Sequence, residues 1–169
     1  IGDAYLTPGW TVYNKRLQYQ VYDVTEMLQG GANAVGVTLG NGWYRGNLAW
    51  GGQKDIYGKN LGLLFQLDIT YTDGRKETIV SDDSWKSSTA DVRYSEIYHG
   101  EIIDARLKKQ GWTTAGYNDN GWSGVKTVSH PVDNLVATYN EPVKKHETFQ
   151  PVKIFTTPKG EKVIDFGQN

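Results

Sequence analysis

The pattern that most constrains this chain is an alternation over residues 61–71. Leu61, Leu63, Phe65, Leu67, Ile69 and Tyr71 share one parity, and Gly62, Leu64, Gln66, Asp68 and Thr70 share the other. Successive side chains of a strand point to opposite faces, so this period of two describes a long strand with one buried side. Leu61, Leu63, Phe65, Leu67 and Ile69 are therefore expected in the core. Thr72-Asp73-Gly74 supplies a hairpin turn, and residues 76–80 return as the partner strand.

Two more strands read from residues 18–24 and 34–39; in the second, Val35, Val37 and Leu39 share a face. Between them residues 25–29 form one short helical turn, capped by Asp23 or Thr25 and ended by Gly30-Gly31. Shorter strands are expected at 101–104, 126–128, 152–155 and 162–165. No segment keeps a 3.6-residue period. With 20 Gly, 11 Tyr and 6 Trp, the chain favours strands and tight turns over helices. The sum is an all-β, antiparallel β-sandwich of the jelly-roll kind.

Pro131, Asn134, Asn140, Pro142 and the run Lys144-Lys145-His146 mark residues 130–150 as a connecting segment. Residues 1–129 then form the sandwich, and 151–169 the first strands of a second β domain that the chain does not finish. Unpaired strand edges of this kind recruit other strands, so self-association is expected. The 18 basic and 19 acidic residues form no basic run, which argues against nucleic acid and anionic membrane surfaces as partners. The absence of cysteine removes disulfides, thiolate metal sites and a cysteine nucleophile. No apolar run reaches the length of a membrane span.

Several clusters, taken in order, resemble the N-terminal region of bacterial α-L-rhamnosidases. They are Leu6-Thr7-Pro8-Gly9-Trp10, Tyr22-Asp23-Val24-Thr25, Leu39-Gly40-Asn41-Gly42-Trp43-Tyr44-Arg45-Gly46 and Ser84-Trp85-Lys86. Tyr98-His99-Gly100-Glu101-Ile102-Ile103-Asp104-Ala105-Arg106 and Asp165-Phe166-Gly167-Gln168-Asn169 complete the set. The resemblance implies a galactose-binding-like sandwich followed by another β domain, near whose start the last cluster lies. It places the catalytic carboxylates in a later (α/α)6 barrel, none of which is in this chain. The expected role is thus a non-catalytic accessory domain of an enzyme that hydrolyses terminal α-L-rhamnose. Its partners would be the remaining domains of that enzyme and rhamnose-containing glycans. The parent would be periplasmic or extracellular in a bacterium. The alternative is a carbohydrate-binding module for L-rhamnose or a related sugar.

The Gly-rich stretch from Gly40 to Gly46 follows a strand, as a dinucleotide loop would, but residues 47–52 carry no helical pattern to receive a pyrophosphate. A structural loop and a sugar platform remain. Trp43, Tyr44 and Trp50 offer flat apolar faces to sugar C–H groups, and Asn41, Arg45 and Asn47 offer partners to hydroxyls. On an extended segment Trp43 and Tyr44 point to opposite sides, with Trp43 inward and Tyr44 more exposed.

Some domains of the resembling type bind rhamnose through calcium near the loop that begins at Asn41-Gly42. Calcium needs hard oxygen ligands, usually with a carboxylate. None occurs from Gly40 to Lys54, so no cofactor is expected. Glu101 and Asp104 are the tempting acid pair of a glycosidase. Their odd offset in a strand points them to opposite faces, and Asp104 and Arg106 share one, so all three read as structural or inter-domain polar residues. Asp82 and Asp83 read as loop carboxylates, and Trp112 and Trp122 as anchors of irregular loops. His99, His130 and His146 are scattered and suggest no zinc site. Asp165-Phe166-Gly167 matches a kinase magnesium motif by chance, without a His-Arg-Asp loop.

Overall fold

A computed structural model describes residues 1–168. Asn169, which closes the Asp165 to Asn169 cluster, lies outside the described residues. The strands are β1 (Ala4–Tyr5), β2 (Leu17–Tyr19), β3 (Gln66–Thr70), β4 (Lys76–Val80), β5 (Lys86–Ser87) and β6 (Val92–Glu96). They continue with β7 (Gly100–Ile103), β8 (Ser123–Gly124), β9 (Leu135–Ala137), β10 (Val143–Lys144), β11 (Lys153–Thr156) and β12 (Lys162–Asp165). They pair as β1–β10, β2–β9, β3–β4, β5–β8, β6–β7 and β11–β12, and only β2–β9 is parallel. One turn of α-helix, α1 (Gly42–Arg45), and 3₁₀ turns at Thr25–Met27 and Ala105–Leu107 are the helical content of the described residues. The chain is all-β and mainly antiparallel, and no barrel closes among the described residues.

Two compact units divide the chain: Pro8–Thr138, and a smaller unit that joins Ile1–Thr7 to the residues from Tyr139 onward. In the smaller unit β1 meets β10, with Lys144 Nζ 3.0 Å from a carboxylate oxygen of Asp3. The β11–β12 ladder sets Ile154 opposite Ile164 and Phe155 opposite Val163. The 130–150 stretch, expected to be a plain connection, supplies β9 and β10.

In the larger unit the alternation of residues 61–71 sorts the faces as expected. Leu61, Leu63, Phe65, Leu67, Ile69 and Tyr71 are half-buried, and the intervening residues are exposed. The paired part is shorter than the alternating part. β3 starts at Gln66 because the returning strand ends at Val80, where Ser81 takes over. The Ser81 N–H donates to Phe65 O at 3.1 Å, and its hydroxyl accepts from Phe65 N–H at 3.1 Å. Across the ladder Leu67 faces Ile79, and Thr78 donates to Asp68 at 2.7 Å on the outer side. Phe65 packs on Trp85 with ring centroids 5.3 Å apart, and the Trp85 indole donates to Val80 O at 3.1 Å.

Three expected strands differ. Residues 18–24 pair only at their start, and do so in parallel with β9 rather than with a sequence neighbour. Residues 126–128 are outside any ladder; the strand before them, β8, ends at Gly124. Residues 34–39 also form no ladder. Gly36 lies against the Trp112 ring, and a Cβ there would sit 2.8 Å from Trp112 Cη2. Trp112 itself leans on Trp122 at 6.2 Å, and Tyr117 meets Trp122 edge-on at 5.8 Å, which ties these loops together as the sequence led us to expect.

Among the described residues Tyr13, 8% exposed, is the apolar side chain that reaches full burial. The expected core residues of β3 are on the inner face but only half covered. Complete burial of a phenylalanine is worth about 1.5–3 kcal/mol. Replacing Phe65 with Ala should therefore cost about 2 kcal/mol, less than the roughly 3–5 kcal/mol of a closed core. Urea unfolding monitored by circular dichroism measures this; a cost under about 0.5 kcal/mol would mean the Phe65–Trp85 contact contributes little.

Candidate functional site

The stretch from Gly40 to Asn47 is where most of the candidate residues fall. Its centre, Gly42–Arg45, is helical rather than extended. Arg45 N–H donates to Asn41 O at 3.0 Å and Gly46 N–H to Gly42 O at 3.2 Å, which closes the turn of α1. Asn41 N–H donates to Ser95 O at 3.2 Å and fastens the start of the turn to β6. Trp43 and Tyr44 consequently do not point to opposite sides, and both are half-buried. Tyr44 joins a tyrosine cluster: its ring lies 5.9 Å from Tyr13 and 6.3 Å from Tyr57, and Tyr13 meets Tyr57 edge-on at 4.8 Å. Burial, with the neighbouring Tyr57, pushes the Tyr13 hydroxyl up to about 12, and that hydroxyl donates to Gly9 O at 3.0 Å. The expected order, Trp43 inward and Tyr44 outward, is replaced by a Tyr44 engaged with two other rings.

Beyond α1, Arg45 Nε lies 3.4 Å from Asp55, and Asp55 N–H donates to Arg45 O at 3.0 Å. Leu48 and Gln53 form an antiparallel bridge that closes a tight turn. At its tip Trp50 is 98% exposed, and Ala49 beside it adopts a φ of 58°. That left-handed conformation costs a non-glycine residue about 1–2 kcal/mol.

The residue that organises this region is Glu96, at the end of β6. Its side chain is wholly buried. One carboxylate oxygen accepts from Asn47 N–H at 2.5 Å and from Asn47 Nδ2 at 3.0 Å. The other accepts from His99 N–H at 2.8 Å and meets His99 Nδ1. Burial alone would raise this carboxyl above its ordinary 4.5, but the bonds from Asn47 and His99 outweigh it and hold the group at about 2. Gly46 makes room for the arrangement: a Cβ there would lie 2.8 Å from Glu96 Cβ and 2.9 Å from its carboxylate. Both oxygens of Glu96 are thus engaged by N–H donors. Among the described residues no three His, Asp or Glu side chains converge as a metal cage.

Glu96 is not among the residues that the sequence patterns single out, and His99 stands there only as one of three scattered histidines; Glu96 lies three residues before His99, and the β6–β7 turn folds the two together. That spacing was the available signal. The remaining candidates sit apart from this cluster or beside it. Glu101 accepts from the Ser95 hydroxyl at 3.1 Å. Asp104 caps the 3₁₀ turn Ala105–Leu107, accepting from Arg106 N–H. It also holds the Arg106 guanidinium at two points, 2.8 and 2.6 Å away. Arg106 in turn holds the Asp104 carboxyl below the usual carboxylate range. Asp82 forms a local turn by accepting from Ser84 N–H at 2.9 Å.

Residues 1–147 match the α-L-rhamnosidase N-terminal domain family. An α-L-rhamnosidase of Streptomyces avermitilis is 39% identical over 171 residues, which is 100% of this chain and 16% of that protein. The crystal structure of the native α-L-rhamnosidase of Aspergillus terreus superposes with a TM-score of 0.85 at 38% identity, covering 100% of this chain and 20% of that one. The Streptomyces avermitilis enzyme complexed with L-rhamnose gives a TM-score of 0.86 at 34% identity, again over 100% of this chain and 16% of that one. The chain thus spans a fifth or less of the proteins it matches.

The Glu96 cluster makes stability depend on pH in a stated direction. A carboxyl depressed in the folded state contributes stability that is fully present above its ordinary value, 4.5, and is lost as pH falls towards about 2. The melting temperature should drop between pH 5 and pH 2 more steeply in the native sequence than in Glu96→Gln. Equal slopes for the two would mean that Glu96 is not held as its bonds require.

Proposed function

Since this chain belongs to the α-L-rhamnosidase N-terminal domain family, we propose that it is a non-catalytic, architectural domain of a longer enzyme that hydrolyses terminal α-L-rhamnose. The observation that carries this reading is the asymmetry of coverage: the whole of this chain aligns with a fifth or less of each relative. The exposed apolar side chains support it. Val35, Val37, Leu39, Ile102 and Ile103 are all between 40% and 61% exposed, and apolar surface of this kind suits contact with further protein. The carboxylates also support it. Retaining and inverting glycosidases place two carboxyl groups across one sugar bond, whereas Glu101 is engaged by Ser95, Asp104 by Arg106 and Glu96 by Asn47 and His99.

A second reading, contact with a sugar, is favoured by Trp50. A fully exposed indole on a turn that tolerates a left-handed Ala49 is poorly explained by packing within the chain, and such a ring suits the C–H face of a sugar. Trp43 and Asn41 lie on the adjoining turn.

The purified chain should release no aryl group from an aryl α-L-rhamnoside above the buffer rate. Turnover that a single carboxylate substitution abolishes would overturn the architectural reading.

A further inference from the structure

We propose that Asn120-Gly121 is a self-modification site. Its asparagine cyclises onto the next backbone nitrogen and reopens as isoaspartate and aspartate, while the fold protects the second Asn-Gly pair, Asn41-Gly42.

The tripeptide Asn-Gly-Trp occurs twice, at residues 41–43 and 120–122. The residues that follow asparagine are the same in both copies, so a difference in reactivity comes from structure. Glycine in the second position has no Cβ to hinder the approach of its nitrogen to the asparagine Cγ. The glycine nitrogen attacks Cγ, the Cγ–Nδ2 bond breaks, and ammonia leaves with the proton from the glycine nitrogen. Water then opens the succinimide. Attack at the Asn120 main-chain carbonyl gives isoaspartate, with the chain rerouted through Cγ; attack at Cγ gives aspartate.

Ring closure needs rotation about the asparagine Cα–C bond, away from its helical value. At Asn41 that rotation is blocked. The residue is half-buried and helical, with φ −62° and ψ −39°. Its carbonyl accepts from Arg45 N–H at 3.0 Å, the Gly42 carbonyl accepts from Gly46 N–H at 3.2 Å, and its own N–H donates to Ser95 O at 3.2 Å. Asn120 is exposed. One backbone bond closes the turn around it, from Trp122 N–H to Asp119 O at 2.9 Å, and its own N–H donates to the Asn118 side chain at 3.1 Å. An exposed turn of this kind opens more readily than one fastened to a strand.

The product acts on its surroundings. Isoaspartate adds one carbon to the backbone between Asp119 and Trp122, and either product adds a negative charge beside Asp119, which holds Lys86 Nζ at 2.7 Å. Trp122 is the residue that moves, and with it the contacts to Trp112 at 6.2 Å and Tyr117 at 5.8 Å.

The test is peptide mapping by mass spectrometry of the whole chain, native and Gly121→Ala, held at mildly alkaline pH and sampled over time, with and without urea. Alanine fits at 121, where φ is not positive and a Cβ meets nothing within 4 Å, so the variant keeps the turn while its methyl group hinders the attack. In the folded chain, conversion at Asn120 should outpace that at Asn41 about tenfold, and Gly121→Ala should slow it by about as much. In urea the two native copies should react at the same rate. Equal rates in the folded chain, or an Asn41 that stays slow in urea, would show that the fold does not set the difference and overturn the proposal. Undiminished conversion in Gly121→Ala overturns the cyclisation.

Discussion

A single buried carboxylate joins two parts of this chain that lie far apart in sequence. Glu96 ends β6, and the turn that carries Trp43, Tyr44 and Arg45 reaches it through Asn47. Taking a carboxylate out of water is costly, and it is tolerated only when N–H donors replace the lost hydration. Here they do so from two directions, Asn47 on one oxygen and His99 on the other. The geometry then dictates neighbouring residues. Gly46 must lack a side chain because Glu96 occupies that space. Asn41 must start its turn against Ser95, one residue before Glu96, so the loop is pinned at both ends to the same strand.

How much of this could be read from sequence depends on the range of the interaction. The β3–β4 hairpin was legible because its cause is local: alternation sets the face, and the Asp73-Gly74 turn sets the register. The β11–β12 hairpin was legible for the same reason. The parallel β2–β9 pair was not, since no short-range pattern tells residues 17–19 to seek 135–137. Residues 34–39 look like a strand in isolation but find no partner strand among the described residues, which no local pattern foretells. The helical turn at Gly42–Arg45 was hidden because four residues are too few for a period, and glycine at its start has poor helix propensity. The family clusters were legible as a set, and both Tyr98 to Arg106 and Leu39 to Gly46 turn out to meet at Glu96 and its neighbours.

The open faces of the ladders bear on why such a domain exists. Two-stranded pairs are marginal alone and gain stability from a third layer. In the larger unit the inner residues of β3 are half covered, and Ile102 and Ile103 of β7 stay above half exposed. In the smaller unit Val152, Ile154 and Ile164 do likewise. An independent carrier of function would be expected to close its core. A domain that contributes a scaffold within a much longer chain need not, because other parts of that chain can complete the burial. This is consistent with relatives in which the matched region is a small fraction of the whole.

The polar chemistry divides along the same line. Four carboxylates are tied to local partners: Asp104 to Arg106, Asp55 to Arg45, Glu101 to Ser95 and Glu96 to Asn47 and His99. The bonds to Glu96 and Asp104 hold those two carboxyls below their ordinary values. A glycosidase acid must do the opposite and hold its proton near neutral pH.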